Sequence, residues 1–148
     1  MRPVHHVAVT AAAGAPVYLV TGSAQLTAIF AAASVLIDLD HLIDFVLWDK
    51  RPLDPRRFLK EGVPRTWTKL IYLLHGYEWI ALMSLVSWKS ANPHLWALTL
   101  GWMSHLLIDE LGNRLPSKKT RIFPLFYFFT FRLFHGFKRD RIARIKEG

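Results

Sequence analysis

Four apolar stretches of this chain carry histidine and carboxylate side chains, the residue types that bind divalent cations where no thiolate is present. Ionisable groups inside apolar helices are costly to bury, so their presence generally indicates a function. The densest group is Asp38-Leu39-Asp40-His41, which follows the uncharged run 26–37. The other candidates are His5 and His6, His75 and Glu78, and His105 and Asp109.

Spacing indicates which of these side chains share a helix face. Residues three or four positions apart lie on one face and can bind the same ion. The pairs with this spacing are Asp38 and His41, His75 and Glu78, and His105 and Asp109. Asp40 would then point about half a turn away from Asp38. Two alternatives stay open for it: pairing with Asp44, or local unwinding of the helix that lets both carboxylates converge.

Together these groups exceed what a four-coordinate zinc site requires, and they are numerous enough for two ions. An open position on such an ion holds a water whose pKa falls toward neutrality, which supplies a hydrolytic nucleophile. The simpler alternative is that each histidine is a hydrogen-bonded core residue and that the carboxylates mark a helix end. Several such groups on one side of the molecule favour a shared site.

Composition favours a membrane protein of one domain, residues 1–148. The chain is 52% hydrophobic and 14% aromatic, yet it has 19 Lys and Arg against 11 Asp and Glu, for a net charge of +8. Basic residues are concentrated in two loops and a C-terminal tail rather than along one helix face, so no nucleic-acid partner is expected. There is no cysteine, which excludes disulfides and thiolate ligands.

Hydrophobic periodicity predicts an all-α fold, a polytopic membrane bundle of four to five helices, because no stretch alternates with a period of two. Pro16 would kink the first helix, and Ser23 is a candidate N-cap of the second. Thr66 or Thr68 would cap the third, and Gly112-Asn113 would end the fourth. The predicted segments are 4–20, 24–48, 66–88, 94–111 and an aromatic-rich fifth at 122–137.

Tracing four of these segments as alternating spans brings every candidate ligand to the same membrane face. That face also carries twelve basic loop residues, against Lys89 alone on the other. The positive-inside rule makes it cytoplasmic. The fifth segment is expected to be re-entrant or interfacial, with a cytoplasmic tail. A cleavable N-terminal signal is the alternative for the first segment, but cleavage would remove both early histidines. The twelve are Arg2, Lys50, Arg51, Arg56, Arg57, Lys60, Arg65, Lys69, Arg114, Lys118, Lys119 and Arg121.

With these residues in place, the chain resembles a family of small bacterial inner-membrane proteins assigned as metal-dependent hydrolases, the LexA-regulated membrane-bound hydrolase-like proteins. That family has an early His, then Pro-Asp-x-Asp-His, then a His-rich start to helix three, then Gly-x-x-x-His-x-x-x-Asp. The matching positions are His6, Asp38-Leu39-Asp40-His41, His75, and Gly101 with His105 and Asp109. The resemblance covers residues 5–113. Ile37 replaces the usual Pro, and Ile80 replaces a second His.

The sequence therefore predicts a multi-pass protein of the bacterial inner membrane whose site faces the cytoplasm. The expected cofactor is a divalent metal, one or two ions, with zinc favoured over manganese or magnesium. The expected ligands are His6, Asp38, Asp40, His41, His75, His105 and Asp109. Glu78 is the candidate general base or further ligand, and Asp40 is a second candidate catalytic residue.

The predicted activity is hydrolysis of a phosphoester or lipid-linked substrate beside an anionic leaflet, so membrane lipid and a small-molecule or lipid substrate are the expected partners. The alternative is a non-enzymatic membrane protein that binds or transports a divalent metal. A structural or partner-binding helix bundle is a further rival.

Overall fold

The computed structural model describes residues 3–48, 67–114, 120–122 and 124–145, with side chains for 9–48, 67–113 and 125–143. Its helices are α1 Pro3–Thr21, α2 Ala24–Leu36, α3 Asp40–Trp48, α4 Tyr77–Ser90, α5 Pro93–Arg114, α6 Phe129–Phe134 and α7 Arg139–Ile142. Short 3-10 helices lie at Ile37–Leu39 and Pro124–Tyr127. The all-α class is confirmed. Within the described chain, the β-structure consists of a short antiparallel ribbon, β1 Thr120–Ile122 with β2 Ala143–Ile145, and an isolated bridge between Lys69 and Lys138.

Two tight connections are built from residues suited to them. Gly22, with φ +62°, reverses the chain after α1, and the Ser23 hydroxyl accepts a hydrogen bond from the Leu26 N–H, so the predicted N-cap is confirmed. Ala91 ends α4 in the left-handed conformation. Pro93 then opens α5, where its missing N–H costs nothing. Both connections make the helices that they join antiparallel neighbours.

The third helix begins later than the sequence predicts. Residues 67–76 are not helical, and α4 starts at Tyr77 after an extended Gly76. The reason is that side-chain carboxylates, and not helical carbonyls, accept three of the backbone N–H groups of this stretch. Asp44 accepts from Ile71 and Tyr72, and Asp40 accepts from Leu74. The helical start at Thr66 or Thr68 is therefore wrong for residues 67–76, and Thr66 itself lies outside the described residues.

Helix α2 lies between α1 and α5, and α4 packs on the other side of α5. Gly101 permits a close approach of α5 to α2, since a Cβ there would lie 2.3 Å from the Phe30 carbonyl oxygen. Buried hydroxyl pairs join neighbouring helices. Thr10 bonds Ser34 at 2.8 Å, and Ser87 bonds Thr99 at 3.0 Å.

The C-terminal segment 124–142 folds back onto the non-helical stretch 67–70. The Leu70 N–H donates to the Phe137 carbonyl, and the Arg139 N–H donates to the Thr68 carbonyl, both at 2.9 Å. These bonds place the C-terminal segment beside the residues that precede α4. The fifth predicted segment forms only a 3-10 turn and the six-residue α6, which is too short to span a bilayer as a helix.

Within the described residues, one helical stretch is long and apolar enough to cross a membrane, namely Ala24–Trp48 with 25 residues. Helix α1 contributes a shorter apolar stretch, Val9–Thr21. Several large apolar side chains are strongly exposed, among them Leu19, Val20, Trp88 and Phe134. Core helices of soluble proteins and signal sequences meet the same length criterion, so this stretch alone does not establish a multi-pass arrangement.

Candidate metal centre

Four ligand atoms from three parts of the chain converge inside the bundle. They are Asp38 Oδ1 from the 3-10 turn, His75 Nε2 from the stretch before α4, and His105 Nε2 and Asp109 Oδ2 from α5. The two imidazole nitrogens are 3.3 Å apart. Asp38 Oδ1 is 3.4 Å from His105 and 3.7 Å from His75, while Asp109 Oδ2 is 3.8 Å and 3.7 Å from them.

These separations match the edges of a tetrahedral coordination shell. Zinc binds nitrogen and oxygen ligands at about 2.0–2.1 Å, which puts tetrahedral ligands roughly 3.3–3.4 Å from one another. Five of the edges of this group run from 3.3 to 3.8 Å. The group therefore fits one first-row divalent ion after shifts of a few tenths of an ångström.

Hydrogen bonds on the far side of each ring turn both Nε2 lone pairs toward the common centre. His105 Nδ1 lies 2.7 Å from the Ser34 carbonyl oxygen, which can only accept, so this nitrogen carries the proton. His75 Nδ1 donates to Asp40 Oδ2 at 2.9 Å. Two facing lone pairs repel unless a cation or a proton lies between them. A proton would satisfy that pair alone, whereas a metal ion also accounts for the two carboxylates.

Asp38 and Asp40 approach the same imidazole from opposite ends. Asp38 Oδ1 faces His75 Nε2, and Asp40 Oδ2 accepts from His75 Nδ1. The 3-10 turn at 37–39 achieves this by winding the chain more tightly than an α-helix. Both carboxylates therefore reach His75 without the local unwinding that the sequence left open as an alternative. Asp40 Oδ1 also lies 2.7 Å from His41 Nδ1. Asp40, His41 and His75 thus form a second group with metal-ligand spacing.

His41 lies at the edge of the cluster. Its Nε2 is 3.8 Å from Asp38 Oδ1, so the predicted shared face of Asp38 and His41 is confirmed. Its ring stacks on Tyr72, with centroids 4.3 Å apart and planes within 10°. The side chains of Asp38 and His41 are 23% and 19% exposed, whereas that of His75 is 1% exposed. Among the described residues, the more exposed side of the cluster is therefore the one formed by Asp38 and His41.

The loop that carries His75 has most of its backbone polar groups bound. Asp44 is fully buried, and its oxygens accept from the Ile71 and Tyr72 N–H groups at 3.0 Å. The Leu73 and Leu74 carbonyls accept from the indole N–H groups of two tryptophans, Trp79 and Trp102. A loop held this way presents its histidine in one orientation.

Arg132 binds the same loop from the C-terminal side. Its guanidinium is fully buried and donates to the carbonyls of Tyr72 and His75, each at 2.8 Å, and to that of Phe126. Burial lowers the pKa of Arg132 to about 10, so it stays charged at neutral pH. The guanidinium of Arg132 is thus used to hold backbone carbonyls inside the fold.

Burial also affects the protonation of the cluster. Desolvation lowers the pKa of His75 below its ordinary value, although Asp40 opposes the shift. The neutral imidazole is the form that binds metals, so burial prepares this ring for coordination.

Glu78 is not brought into the cluster, and its predicted pairing with His75 on one helix face is wrong. His75 precedes α4, so the three-residue spacing has no helical meaning there. The Glu78 carboxylate instead accepts from the Phe129 N–H, the Thr130 N–H and the Thr130 hydroxyl, at 2.9, 2.9 and 2.7 Å. It caps the N-terminus of α6.

Some predicted features lie outside the described residues. The side chain of His6 is one, although its backbone belongs to α1. Most of the basic loop residues on the predicted cytoplasmic face are others: Arg2, Lys50, Arg51, Arg56, Arg57, Lys60, Arg65, Lys118 and Lys119, with the side chains of Arg114 and Arg121.

Sequence reasoning missed the residues that support the ligands. Asp44 was noted only as a partner for Asp40, and Gly101 only as part of the resemblance. Ser34 acts through its backbone carbonyl, which no side-chain pattern reveals. The signal for Gly101 was its position one turn before His105, since small residues permit close helix approach.

The comparisons with known proteins add no relative. No protein-family model, no curated protein and no solved structure matches this chain. The candidate metal centre thus rests on the chain's own geometry.

Proposed function

We propose that this protein is a membrane-bound metal-dependent hydrolase whose ion is held by Asp38, His75, His105 and Asp109. The observation that carries the proposal is the convergence of two oriented imidazole lone pairs and two carboxylate oxygens at tetrahedral spacing. Membership of the LexA-regulated membrane-bound hydrolase-like family is part of the same proposal.

Zinc is the ion that we propose first, because the donors are imidazole and carboxylate and the spacing is tetrahedral. Manganese and magnesium are the alternatives, with magnesium disfavoured by two imidazoles. A second ion would use the exposed side, where the Nε2 of His41 and the carboxylate of Asp38 lie 3.8 Å apart. We also propose that Asp40 orients His41 and His75 rather than acting as the primary ligand, since both of its oxygens bind their Nδ1 atoms.

The register of α1 and α2 supports His6 as a further ligand. Thr10 bonds Ser34 across these antiparallel helices. Position 6 lies one turn before Thr10, and position 38 lies one turn after Ser34. Because α1 and α2 are antiparallel, these two positions lie at the same level of the bundle. We therefore keep His6 in the proposed ligand set.

The more exposed side of the cluster, formed by Asp38 and His41, would give the chemistry its route to solvent. A divalent ion at this centre supplies an acidic coordinated water and polarises a substrate oxygen. Asp38 and His41 line the side through which water and substrate would reach it. Lys69, in the stretch that leads to His75, and Lys138 pair through their backbones as an isolated antiparallel β-bridge, and the Lys138 side chain is exposed. Their positive charge suits a phosphoester or an anionic lipid headgroup.

We propose a multi-pass arrangement in the bacterial inner membrane with this end toward the cytoplasm. Helices α1 and α5 are 19 and 22 residues long, close to the length that a span needs, and α2 continues into α3. Helix α4 has 14 residues, about 21 Å, so it crosses only part of the bilayer. The exposed apolar side chains around the bundle would contact lipid.

Metal transport is the second candidate. The buried hydroxyl pairs Thr10–Ser34 and Ser87–Thr99 favour it, because they place polar groups between helices away from the cluster. The members of each pair satisfy one another, which suits helix packing better than an ion path. Hydrolysis is therefore the function that we advance.

The test uses the full chain purified in detergent. Metal analysis should find bound zinc in the wild type and its loss in His105→Ala and Asp109→Ala. Absence of stoichiometric divalent metal in the gently purified wild type would sink the proposal. Turnover of a chromogenic phosphodiester and of a short-chain phospholipid, abolished in the same variants, would support hydrolysis. Metal flux into proteoliposomes without turnover would favour transport instead.

A further inference from the structure

The charged side chain of Arg132 is 0% exposed, and the hydrogen bonds that it donates within the described structure all go to backbone carbonyls. Its Nε finds no hydrogen-bond partner among the described residues. A buried guanidinium without full compensation is a poor way to stabilise a fold, because its desolvation is costly. Its contacts therefore suggest a role in placing the groups that it binds.

Two of the carbonyls that Arg132 binds belong to residues 72–75, the part of the loop that carries His75, which we call the ligand loop. Arg132 Nη2 binds the Tyr72 carbonyl and Nη1 binds the His75 carbonyl, so one planar group spans both ends of residues 72–75. The same turn is closed by the His75 N–H, which donates to the Tyr72 carbonyl at 3.1 Å. Tyr72 holds a φ of +44°, an uncommon conformation for a non-glycine residue that needs outside support.

His75 is consequently fixed from two sides. Asp40 holds its ring through Nδ1, and Arg132 holds its backbone through the carbonyl oxygen. Loss of the ring contact would change the tautomer. Loss of the backbone contact would instead allow the whole residue to move relative to His105, whose Nε2 is only 3.3 Å away.

Arg132 is itself fixed by α4. Glu78 on α4 caps the first residues of α6, Phe129 and Thr130, with three hydrogen bonds. Arg132 lies in the next turn of this helix and contacts the rings of Phe126 and Phe129, at 5.3 and 5.8 Å. The C-terminal segment is thus tied to the bundle on one side and to the ligand loop on the other.

We propose that Arg132 is a positioning residue for His75, so that the C-terminal segment 124–142 is required for metal binding although it supplies no ligand. This inference rests on the proposed metal centre. It assigns Glu78 an indirect role, which is to hold the helix that carries Arg132.

The test measures zinc affinity of the full-length wild type, Arg132→Gln and Arg141→Gln in detergent, by competition with a chromogenic chelator. Arg141→Gln removes the same charge from an exposed position of the same segment and serves as the matched control. Removal of an outer-shell partner typically weakens metal affinity about 10–100-fold, which is the loss expected for Arg132→Gln. The control should bind zinc as tightly as the wild type.

A second readout separates positioning from general destabilisation. Cobalt replaces zinc, and its visible absorption reports the geometry of the ligands. The bands should shift or weaken in Arg132→Gln even where circular dichroism shows a folded protein, and a purely structural role would leave them unchanged. Arg132→Lys keeps the buried charge but cannot span two carbonyls, so it should show an intermediate loss of affinity.

Wild-type affinity and an unchanged cobalt spectrum in both Arg132 variants would overturn the inference while leaving the metal centre intact. If Arg132→Gln does not fold, Arg132→Lys decides by the same criterion. A wild-type protein that binds neither zinc nor cobalt would overturn the proposed function and this inference together.

Discussion

Gly101→Ala tests the close approach of α5 to α2, on which the position of His105 depends. The new Cβ would lie 2.3 Å from the Phe30 carbonyl oxygen and 3.1 Å from the Ala33 Cβ. Both contacts are with rigid parts of α2, so no flexible side chain can move aside. Relief to an ordinary contact of 3.4 Å requires the helices to separate by about 1 Å, the difference between the two distances.

That separation would break the hydrogen bond that orients His105. Its Nδ1 is 2.7 Å from the Ser34 carbonyl oxygen, and a shift of about 1 Å takes the pair beyond hydrogen-bond range. Overpacking costs roughly 1–3 kcal/mol and a lost buried hydrogen bond about 1–3 kcal/mol. The better helix propensity of alanine returns about 1 kcal/mol. The expected net loss of unfolding free energy is therefore roughly 1–5 kcal/mol.

The assay is denaturant unfolding of the metal-free protein in detergent, together with the zinc affinity of the folded variant. Zinc affinity should fall about 10–100-fold, because the Ser34 carbonyl is an outer-shell partner of His105. Gly14→Ala is the matched control, since its new Cβ would meet only the Thr27 methyl at an ordinary 3.6 Å. It should be neutral or more stable by up to about 1 kcal/mol. A Gly101→Ala protein with wild-type stability and affinity would refute the reasoning.

Three further expectations concern the ligand set. Asp40→Asn should weaken zinc binding about 10–100-fold, because the amide has one acceptor oxygen in place of two and can accept from only one of the two imidazoles. Equal affinity in a zinc titration would contradict this. Zinc at 100 times its Kd should add about 2.7 kcal/mol of stability in thermal unfolding, and Asp109→Ala should abolish that shift. The lowered pKa of His75 means that protonation favours the unfolded chain. The contribution of His75 to metal-free stability should therefore fall as the pH drops below about 6.5, whereas the raised pKa of His41 acts in the opposite direction. The measurement compares the two pH profiles, and on acidification wild type should lose more stability than His75→Gln.

The sequence predicts which ligand side chains lie together only where those residues belong to the same helix. The pairs Asp38 with His41 and His105 with Asp109 converge as their spacing predicts, at 3.8 Å each. Helix periodicity is a local property, so one sequence suffices to read it. The same rule failed for His75 and Glu78, because the helix that it assumed begins only at Tyr77.

The supporting contacts could not be predicted, since they join residues far apart in the chain. Asp44 binds backbone N–H groups 27 and 28 positions away, and Arg132 binds carbonyls 57 and 60 positions away. Every residue except proline carries the same backbone N–H and C=O groups, so the sequence does not show which of them a distant side chain will bind. For the same reason, the helical prediction for 67–76 is wrong, because Asp44 and Asp40 accept three of its N–H groups.

The sequence by itself determined the helical class, the turn at Gly22-Ser23 and the residue types that a divalent ion would use. Those follow from local periodicity, capping and ligand chemistry. Only the tertiary structure decided that Asp38, His75, His105 and Asp109 point at one centre, that Asp40 faces the outer nitrogens of two imidazoles, and that Glu78 does not take part. Packing decides such matters, because a shift of about one ångström between α2 and α5 would move these ligand atoms too far apart to bind one ion.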